Sequence, residues 1–579
     1  MRRVVIRLTT TIQNVKARKR NPPSEFAEEL KKIRERYTPL HTVEIEIKVL
    51  PFQQWRLIRI NEQLRVIRNT VLGQLYNHYS QMVRTKEFKN VLKTYRLISN
   101  TINKSKDDKE KKILEKEKKD LTKKFEELRK KHNITFEYAR NYGANLRTKK
   151  YQLPDAVTVW SVCEMAWKSM ERIIFGEAMK PRFYKRGEFV PIQGKQAERC
   201  VILKHHSDED TFYLTHNGMS FPLVIKEKDL FVIETLSHVV HYMENDSSID
   251  QENVERHIAR KPIVPTYRIR NNRIVLKEIH GKLHFFVQMV LEGLPVVKRK
   301  KDGTFRHTYG IGKIGGDIGT QTLAVVSQNH VDLYNLAERS KNTFYDEREI
   351  HLIQRYLDRS KRSVNPQNYN SNGTIKKGKK EWVYSKRYQK AKEKLKKLHR
   401  KAALSRKYAH NEDINRLRSI GDRFIIEMMN IKGLQRKAKE ITKNEKTGKF
   451  NRRKRYGKSI GKRSPGYFIK QVKYRFAMTG GTVHEVNTWT YKASQYDHVL
   501  DNTNKKQLSK RWHTLPDGRK IQRDIYSAFL LFCSKKDLQK PDRDQCLRYF
   551  ENFYEKHQLC VQGIKENREF VLNSGIKIS

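Results

Sequence analysis

Three carboxylates in this chain sit in places where an acid is expensive unless it does something. Asp317 lies in Gly315-Gly316-Asp317-Ile318-Gly319, a strand that ends at a glycine-flanked turn and is followed at once by a second apolar strand. Glu427 closes the apolar run Phe424-Ile425-Ile426, and Asp524 falls in the first turn of a helix that opens at Gln522-Arg523. Carboxylate oxygens suit Mg²⁺, which takes one or two of them and keeps its other positions for water and phosphate. Two such ions activate a water and stabilise the leaving oxygen of a phosphodiester. Each acid also has a plainer role. Asp524 complements a helix dipole, Glu427 pairs with one of the many cations, and the glycines around Asp317 leave room for any ligand to approach the backbone. The acids are far apart in the chain, so they meet only through tertiary folding.

The elements that must position them carry a strong charge. The 579 residues hold 122 Lys and Arg against 64 Asp and Glu, a formal net charge of +58. Self-repulsion on that scale calls for a polyanion, and nucleic acid is the obvious one. From Ser371 to Lys407 there are 15 basic residues and 2 acids, with Trp382, Tyr384 and Tyr388 among them and Tyr408 just beyond. Cations interleaved with aromatic rings suit a groove that tracks a phosphate backbone and stacks bases. Lys386, Arg387, Lys390, Lys394, Lys397 and Arg400 on the helical part, with Arg453 and Arg455 in a second basic segment, are the candidate nucleic-acid contacts. The second segment, Ile431 to Arg475, reads as an exposed loop over 443–464.

Further upstream, Thr42 to Leu50 alternates with period two, as a half-buried strand does. From Trp55 to Val83 the residues Ile60, Leu64, Ile67, Val71, Leu75, Tyr79 and Met82 make one stripe of a long helix. A charged helix follows from about Lys104 to His132, with a seam of Ile113, Leu121, Phe125 and Leu128, and reads as a solvated hairpin or short coiled coil. A third helix runs from about Asp155 to Phe175 and stops at Gly176. Between 198 and 295 the chain reads as short strands, with turns at Asn271-Asn272 and His280-Gly281-Lys282, that close into a small antiparallel barrel together with the strand at 42–50.

With these residues in view, the three acids have the layout of an RNase H-like site. The stretches around Asp317, Glu427 and Asp524 resemble the three RuvC motifs of the TnpB family of transposon-encoded RNA-guided nucleases and of the related compact type V CRISPR effectors. The likeness extends to the strand and helix at 43–79, to Lys180-Pro181-Arg182-Phe183, to Ser464-Pro465-Gly466-Tyr467-Phe468 and to Val486-Asn487. It implies a multidomain α+β protein with an N-terminal lead-in at 1–41. A wedge-type β-barrel would follow at 42–51 and 181–308, interrupted by a helical recognition module at 52–180. A RuvC nuclease domain would occupy 309–345, 420–493 and 520–579, with a basic helical insertion at 346–419. The implied activity is RNA-guided, Mg²⁺-dependent DNA cleavage beside a short flanking motif, with Asp317, Glu427 and Asp524 holding two ions and the partners being guide RNA and target DNA. The alternative is an RNA-guided DNA-binding protein with little or no nuclease activity.

One departure concerns zinc. Where the family commonly has a cysteine-paired zinc ribbon, residues 494–519 have no cysteine, and His498 and His513 are too few for a tetrahedral site, so zinc is not expected. That segment would keep the ribbon's place through Leu508, Trp512 and Leu515, and Gln522 stands where the family often has an acid. The five cysteines form no C-x-x-C pair, and no apolar window is long enough to span a membrane, which points to a reducing, cytoplasmic setting, nucleoid-associated when on DNA. Asp-Ile-Gly-Thr at 317–320 also resembles the phosphate turn of actin-type ATPases, and the same acids could serve a strand-transfer transposase. The first reading leaves the charge unexplained and the second leaves the front half unexplained.

Overall fold

The computed structural model describes residues 25–37, 40–104, 107–194, 199–206, 211–259, 266–279, 281–293, 295–300, 302, 304–338, 347–438, 440–442, 448, 456–504, 507 and 510–578. The chain divides into two compact units, Met1–Lys298 and Arg299–Ser579.

The first unit begins with helix α1 (Glu25–Tyr37), where an irregular lead-in was expected, and strand β1 (Leu40–Ile47). Pro51 both ends the extended stretch and starts α2 (Pro51–Met82), since a first-turn residue needs no N–H donor. The Gln53 side chain accepts the Leu50 N–H at 3.0 Å. Along α2 the residues Leu57, Ile60, Leu64, Ile67, Val71 and Leu75 are fully buried, the stripe its sequence period requires. Helices α3 (Lys86–Lys104) and α4 (Asp108–Lys131) form a charged hairpin joined by a small aromatic contact, with the Phe88 and Phe125 rings 5.5 Å apart. Of the expected seam, Leu121 and Leu128 are buried and Ile113 is exposed. Helix α5 (Phe136–Lys149) packs on α6 (Ala156–Ile174) at Gly143, where a Cβ would stand 2.1 Å from the Cys163 sulfur. Asp155 caps α6 by accepting the Thr158 N–H at 2.8 Å.

Strands β2 (Ile192–Gln193), β3 (Ile202–His206), β4 (Thr211–His216) and β5 (Met219–Val224) come next, then α7 (Leu230–Ile258), β6 (Arg268–Ile279) and β7 (Lys282–Glu292). They form one antiparallel sheet ordered β2-β6-β7-β1-β5-β4-β3, with β1 in its interior. Among the described residues no pairing joins β2 to β3, so the sheet is an open half-barrel instead of the closed barrel expected. The buried Asn272 side chain donates to the Val201 carbonyl at 3.2 Å and links β6 to the start of β3. Two further expectations fail here. Asn271-Asn272 is no turn: β6 runs straight through it with a register shift between Ile269 and Asn271. Helix α7 occupies a region read as strands and loops, although Val232, Leu236, Val239 and Tyr242 are buried at helical spacing. Gly281, at φ +82°, lies between the paired Ile279 and Lys282 of the β6–β7 hairpin, where a turn was expected, and His280 falls outside the described residues.

The second unit starts with the meander β8 (Lys313–Ile318), β9 (Thr322–Val326) and β10 (Val331–Asn335), followed by helices α8 (Glu347–Val364) and α9 (Lys386–Ile420). Next come β11 (Arg423–Glu427), α10 (Ile431–Leu434), α11 (Gly457–Arg463), α12 (Pro465–Ala477), β12 (Thr482–Val486) and α13 (Thr488–Tyr491). Two small hairpins follow, β13 (Tyr496–Asp497) with β14 (Asn502–Thr503), and β15 (Trp512–Thr514) with β16 (Lys520–Gln522). The unit ends with α14 (Arg523–Phe532) and α15 (Arg543–Glu566). The main sheet is ordered β10-β9-β8-β11-β12, with β11 parallel to both β8 and β12, and β9 antiparallel to its neighbours.

Each face of that sheet buries its own core. Ile314, Phe424 and Ile426 pack with Ile414 and Leu417 of α9 and Phe468 and Val472 of α12. Ile425, Ala324 and Val326 pack on the other face with α14 and α15. Alternation along a strand therefore sends Glu427, two residues after Ile425, toward α14. The glycines of β8 have a different purpose from the one their sequence suggests. A Cβ on Gly315 would lie 2.1 Å from the Ala528 carbonyl oxygen and 2.3 Å from the Phe532 nitrogen, and one on Gly316 would lie 2.4 Å from the Phe424 ring. They admit a helix backbone and an aromatic ring, so the room expected for a ligand beside residues 315 and 316 is filled by the protein itself. Helix α14 is buried from Ile525 through Phe532, so it is a core helix.

Gly315→Ala should destabilise the second unit by at least about 2 kcal/mol, because its Cβ meets backbone that cannot rotate away. Gly563→Ala, mid-helix in α15 with no atom within 4 Å of the new Cβ, should stabilise it by about 0.5–1 kcal/mol. Denaturant titration of the two variants checks the pair, and equal midpoints would refute the packing role of Gly315.

Candidate active site

Strand parity and one close helix contact assemble the acids. Asp317 is two residues beyond Gly315 and so shares its α14-facing side of β8. The neighbouring strand β11 is parallel and in register, with Ile426 opposite Gly316, which brings Glu427 beside the end of β8. Asp524 is the second residue of α14, the helix whose backbone rests on Gly315. All three side chains are partly buried.

Their electrostatics follow from this placement. Burial raises the Asp317 carboxyl well above the usual range, the Asp524 and Glu427 carboxylates raise it further, and only Arg523 opposes them. Burial also raises Glu427, against a stabilising bond from the Ala493 N–H at 3.2 Å. The Arg523 guanidinium lies 3.5 Å from Asp524. Asp317 is thus the central acid, repelled from both sides. The three carboxylates do not all close to within 4.8 Å of one another. Hard oxygen donors carrying uncompensated negative charge fit Mg²⁺, and the site passes that test on its donor set and its excess charge.

Gln522 does not face the acids. It is fully buried as the N-cap of α14, accepting the Ile525 N–H at 2.8 Å and donating to the Ser574 carbonyl at 3.2 Å. The adjacent segment 494–519 is held by polar and aromatic contacts that were not anticipated. His513 Nε2 lies 3.0 Å from Asp497 Oδ2, His498 Nδ1 lies 2.7 Å from the Tyr526 hydroxyl, and the His513 and Tyr526 rings stack with centroids 4.9 Å apart. Of the expected anchors, Leu515 is buried, Trp512 donates to the Gly575 carbonyl at 3.0 Å, and Leu508 falls outside the described residues.

The basic candidates divide in the same way. Lys386, Arg387, Lys390, Lys394, Lys397 and Arg400 are all exposed on α9 and fall within one arc of about 140° at 100° per residue. Lys394 also pairs with Glu349 of α8 at 2.6 Å. Arg453 and Arg455 fall outside the described residues. The interleaved aromatics mostly serve the protein. Lys361 lies over the Trp382 ring at 3.7 Å and the Tyr384 and Tyr388 rings stack at 4.6 Å, leaving Tyr408 as the most exposed of the four.

A donor cluster that the sequence reading passed over lies in the first unit, where Asp155, Cys200 and His216 converge. Cys200 Sγ is 3.8 Å from Asp155 Oδ2 and 3.7 Å from His216 Nδ1. Its donors are already engaged, since Asp155 caps α6 and His216 Nδ1 bonds the Cys200 carbonyl at 2.9 Å. No spacing in the sequence could have signalled it. Among the described residues no helix is long and apolar enough to cross a membrane.

No protein-family model matches the chain, and neither does any curated protein. Among solved structures it is similar to the protein in a Cas12f1–sgRNA–target DNA complex, at 9% identity over 85% of this chain and 98% of that one, with a TM-score of 0.36. It is also similar to a CRISPR-Cas12f ternary complex, at 10% identity over 82% and 80% of the two chains, with a TM-score of 0.23. For a Cas12i1 R-loop complex before target DNA cleavage the identity is 10% over 89% and 65%, and the TM-score is 0.23. Likenesses this loose carry no argument about this chain, so its function has to be read from its own sheet and acids.

Two expectations follow from the electrostatics. Asp317→Asn removes the most strongly repelled charge, so in EDTA it should raise the melting temperature by about 2–4 °C, and it should abolish any rise that Mg²⁺ produces in the parent protein. Burial pushes His410, His498 and His557 down to about 4. The unfolded chain takes up their protons below about 6.5, so each should remove up to about 1.4 kcal/mol of stability per pH unit between pH 6.5 and 4. Asp317 and Glu427, raised in the fold, act in the opposite sense, as two groups against five, because burial also lowers His41 and His216. Melting curves across that range should show stability falling with pH, and a flat profile would contradict the burial of the histidines.

Proposed function

We propose that the second unit is an RNase H-like (RuvC) nuclease domain, and that the chain is an RNA-guided, Mg²⁺-dependent DNA endonuclease. The observation that carries the reading is the convergence of Glu427 and Asp524 on Asp317, from a neighbouring strand and a crossing helix. The sheet order supports it: in strand sequence it is third, second, first, fourth, fifth, with the second strand antiparallel, the arrangement of an RNase H-like sheet.

In this reading Asp317, Glu427 and Asp524 hold the metal. Bound Mg²⁺ supplies a lowered water pKa and stabilisation of charge on phosphodiester oxygens. The chain's own contribution is positional. The Ala493 N–H orients the Glu427 carboxylate, Arg523 offsets part of the negative charge beside Asp524, and the α9 stripe from Lys386 to Arg400 tracks the phosphate backbone. The net charge of +58 supports RNA and DNA as partners, and the resemblance of the acidic motifs supports guidance by RNA with cleavage beside a short flanking motif. The ATPase reading leaves the net charge of +58 without a partner. The alternative is a guided DNA-binding protein with little or no cleavage.

The protein purified with the RNA that accompanies it should cut matching duplex DNA in Mg²⁺ and not in EDTA. Asp317→Ala should reduce cutting by about 100-fold or more while leaving DNA affinity within about twofold. Continued cutting by that variant would remove Asp317 from the site, and binding without cutting by the parent would favour the alternative.

A further inference from the structure

Beside the acids, the short helix α13 carries Trp489 with 84% of its surface exposed, an unusual state for the largest apolar side chain. The helix itself is anchored on both flanks. Asn487 caps it by accepting the Trp489 N–H at 2.9 Å, and the Thr488 hydroxyl donates to the Met428 carbonyl at 2.9 Å. At its far end Tyr491 is buried, its hydroxyl donating to the Leu530 carbonyl at 2.7 Å, and Ala493 donates to Glu427. Trp489 is therefore bracketed by two residues that bond the Glu427–Met428 segment, which holds its Cα within roughly 10 Å of that segment. Met428 is itself 53% exposed, and Lys492, exposed on the next turn, adds a cation.

We infer that Trp489 is a stacking platform for a base of single-stranded DNA, one or two nucleotides from the phosphate that metal at Asp317, Glu427 and Asp524 would hold. The assignment rests on the nuclease reading for the identity of the strand. Four features carry it: a rigidly anchored helix, an indole that makes no core contact, a position next to the acids, and the cationic balance of the chain. A base offers a flat π-face to any aromatic ring, so such a platform accepts a strand without reading its sequence. A lone exposed tryptophan is ordinarily a neutral surface residue. Here the contacts of Tyr491, Thr488 and Ala493 fix how it is presented, so little ordering is needed when a base arrives.

The test uses the full chain in EDTA, so that nothing is cut, with a short single-stranded oligodeoxythymidylate carrying one fluorescent adenine analogue as the probe. Stacking should quench the analogue in the parent protein and in Asp317→Ala. Trp489→Ala should lose the quenching and bind about 10-fold or more weakly, while Trp489→Phe keeps part of both. Trp489 lies outside the core, so these variants keep the fold, which unchanged melting temperatures verify. Equal quenching and affinity in Trp489→Ala and the parent would overturn the inference. So would absence of probe binding by the parent, or a Trp489→Ala effect confined to self-association in light scattering. The outcomes separate from those of the nuclease reading: a parent that stacks the probe but never cuts DNA keeps the platform and loses the nuclease, whereas a cutting parent matched by Trp489→Ala does the reverse.

Discussion

The second unit depends on a backbone-to-backbone approach, α14 lying against β8 where residue 315 has no side chain. With a Cβ meeting the Ala528 oxygen at 2.1 Å, any other residue would lift the helix away. Asp524 is carried by that helix and Asp317 by that strand, so the distance between two of the three acids is set by a missing methyl group. The remaining acid, Glu427, is delivered by ladder register, since β11 runs parallel to β8 with Ile426 opposite Gly316. Helix contact and register are both rigid devices, suited to holding groups that repel one another.

Holding them has a cost that the surroundings offset only in part. Asp317 is raised by burial and by both neighbours, with Arg523 alone opposing, while Glu427 keeps one backbone N–H. The hydrophobic packing of α14, buried from Ile525 to Phe532, sustains this strain. The flanking segment 494–519 is held to α14 by side chains other than cysteine. Asp497, His513, His498 and Tyr526 make a buried set of polar and ring contacts that ties the small hairpins to α14. Gln522 belongs to that support, as a buried cap, and not to the acids.

Much of this was legible in the chain because apolar periodicity records which face is buried. The α2 stripe from Ile60 to Leu75, the strand around Ile45, and strands β8, β10, β11 and β12 all follow from it. What escaped did so for physical reasons. Helix α7 mixes Val232, Leu236 and Val239 with β-branched neighbours and a kink at Asn245 (φ −126°), so its period is diluted. Asn271-Asn272 carries the residues of a turn, yet its flanking segments are paired along their length with β7, and the ladder overrides the local preference. The aromatics Trp382, Tyr384 and Tyr388 read as base platforms, but in the fold Lys361 and one another occupy their faces.

By itself the sequence determined which residue types exist to do chemistry, which strands and helices they end, and that a polyanion is the expected partner, because those properties belong to composition and local period. Only the tertiary structure decided that Asp317 is the central acid, that the glycines before it admit α14 and Phe424 and not a ligand, and that Trp489 stands exposed beside the site. Those are facts of distance between segments remote in the chain, and distance of that kind is set by packing and register, which no local pattern of residues encodes.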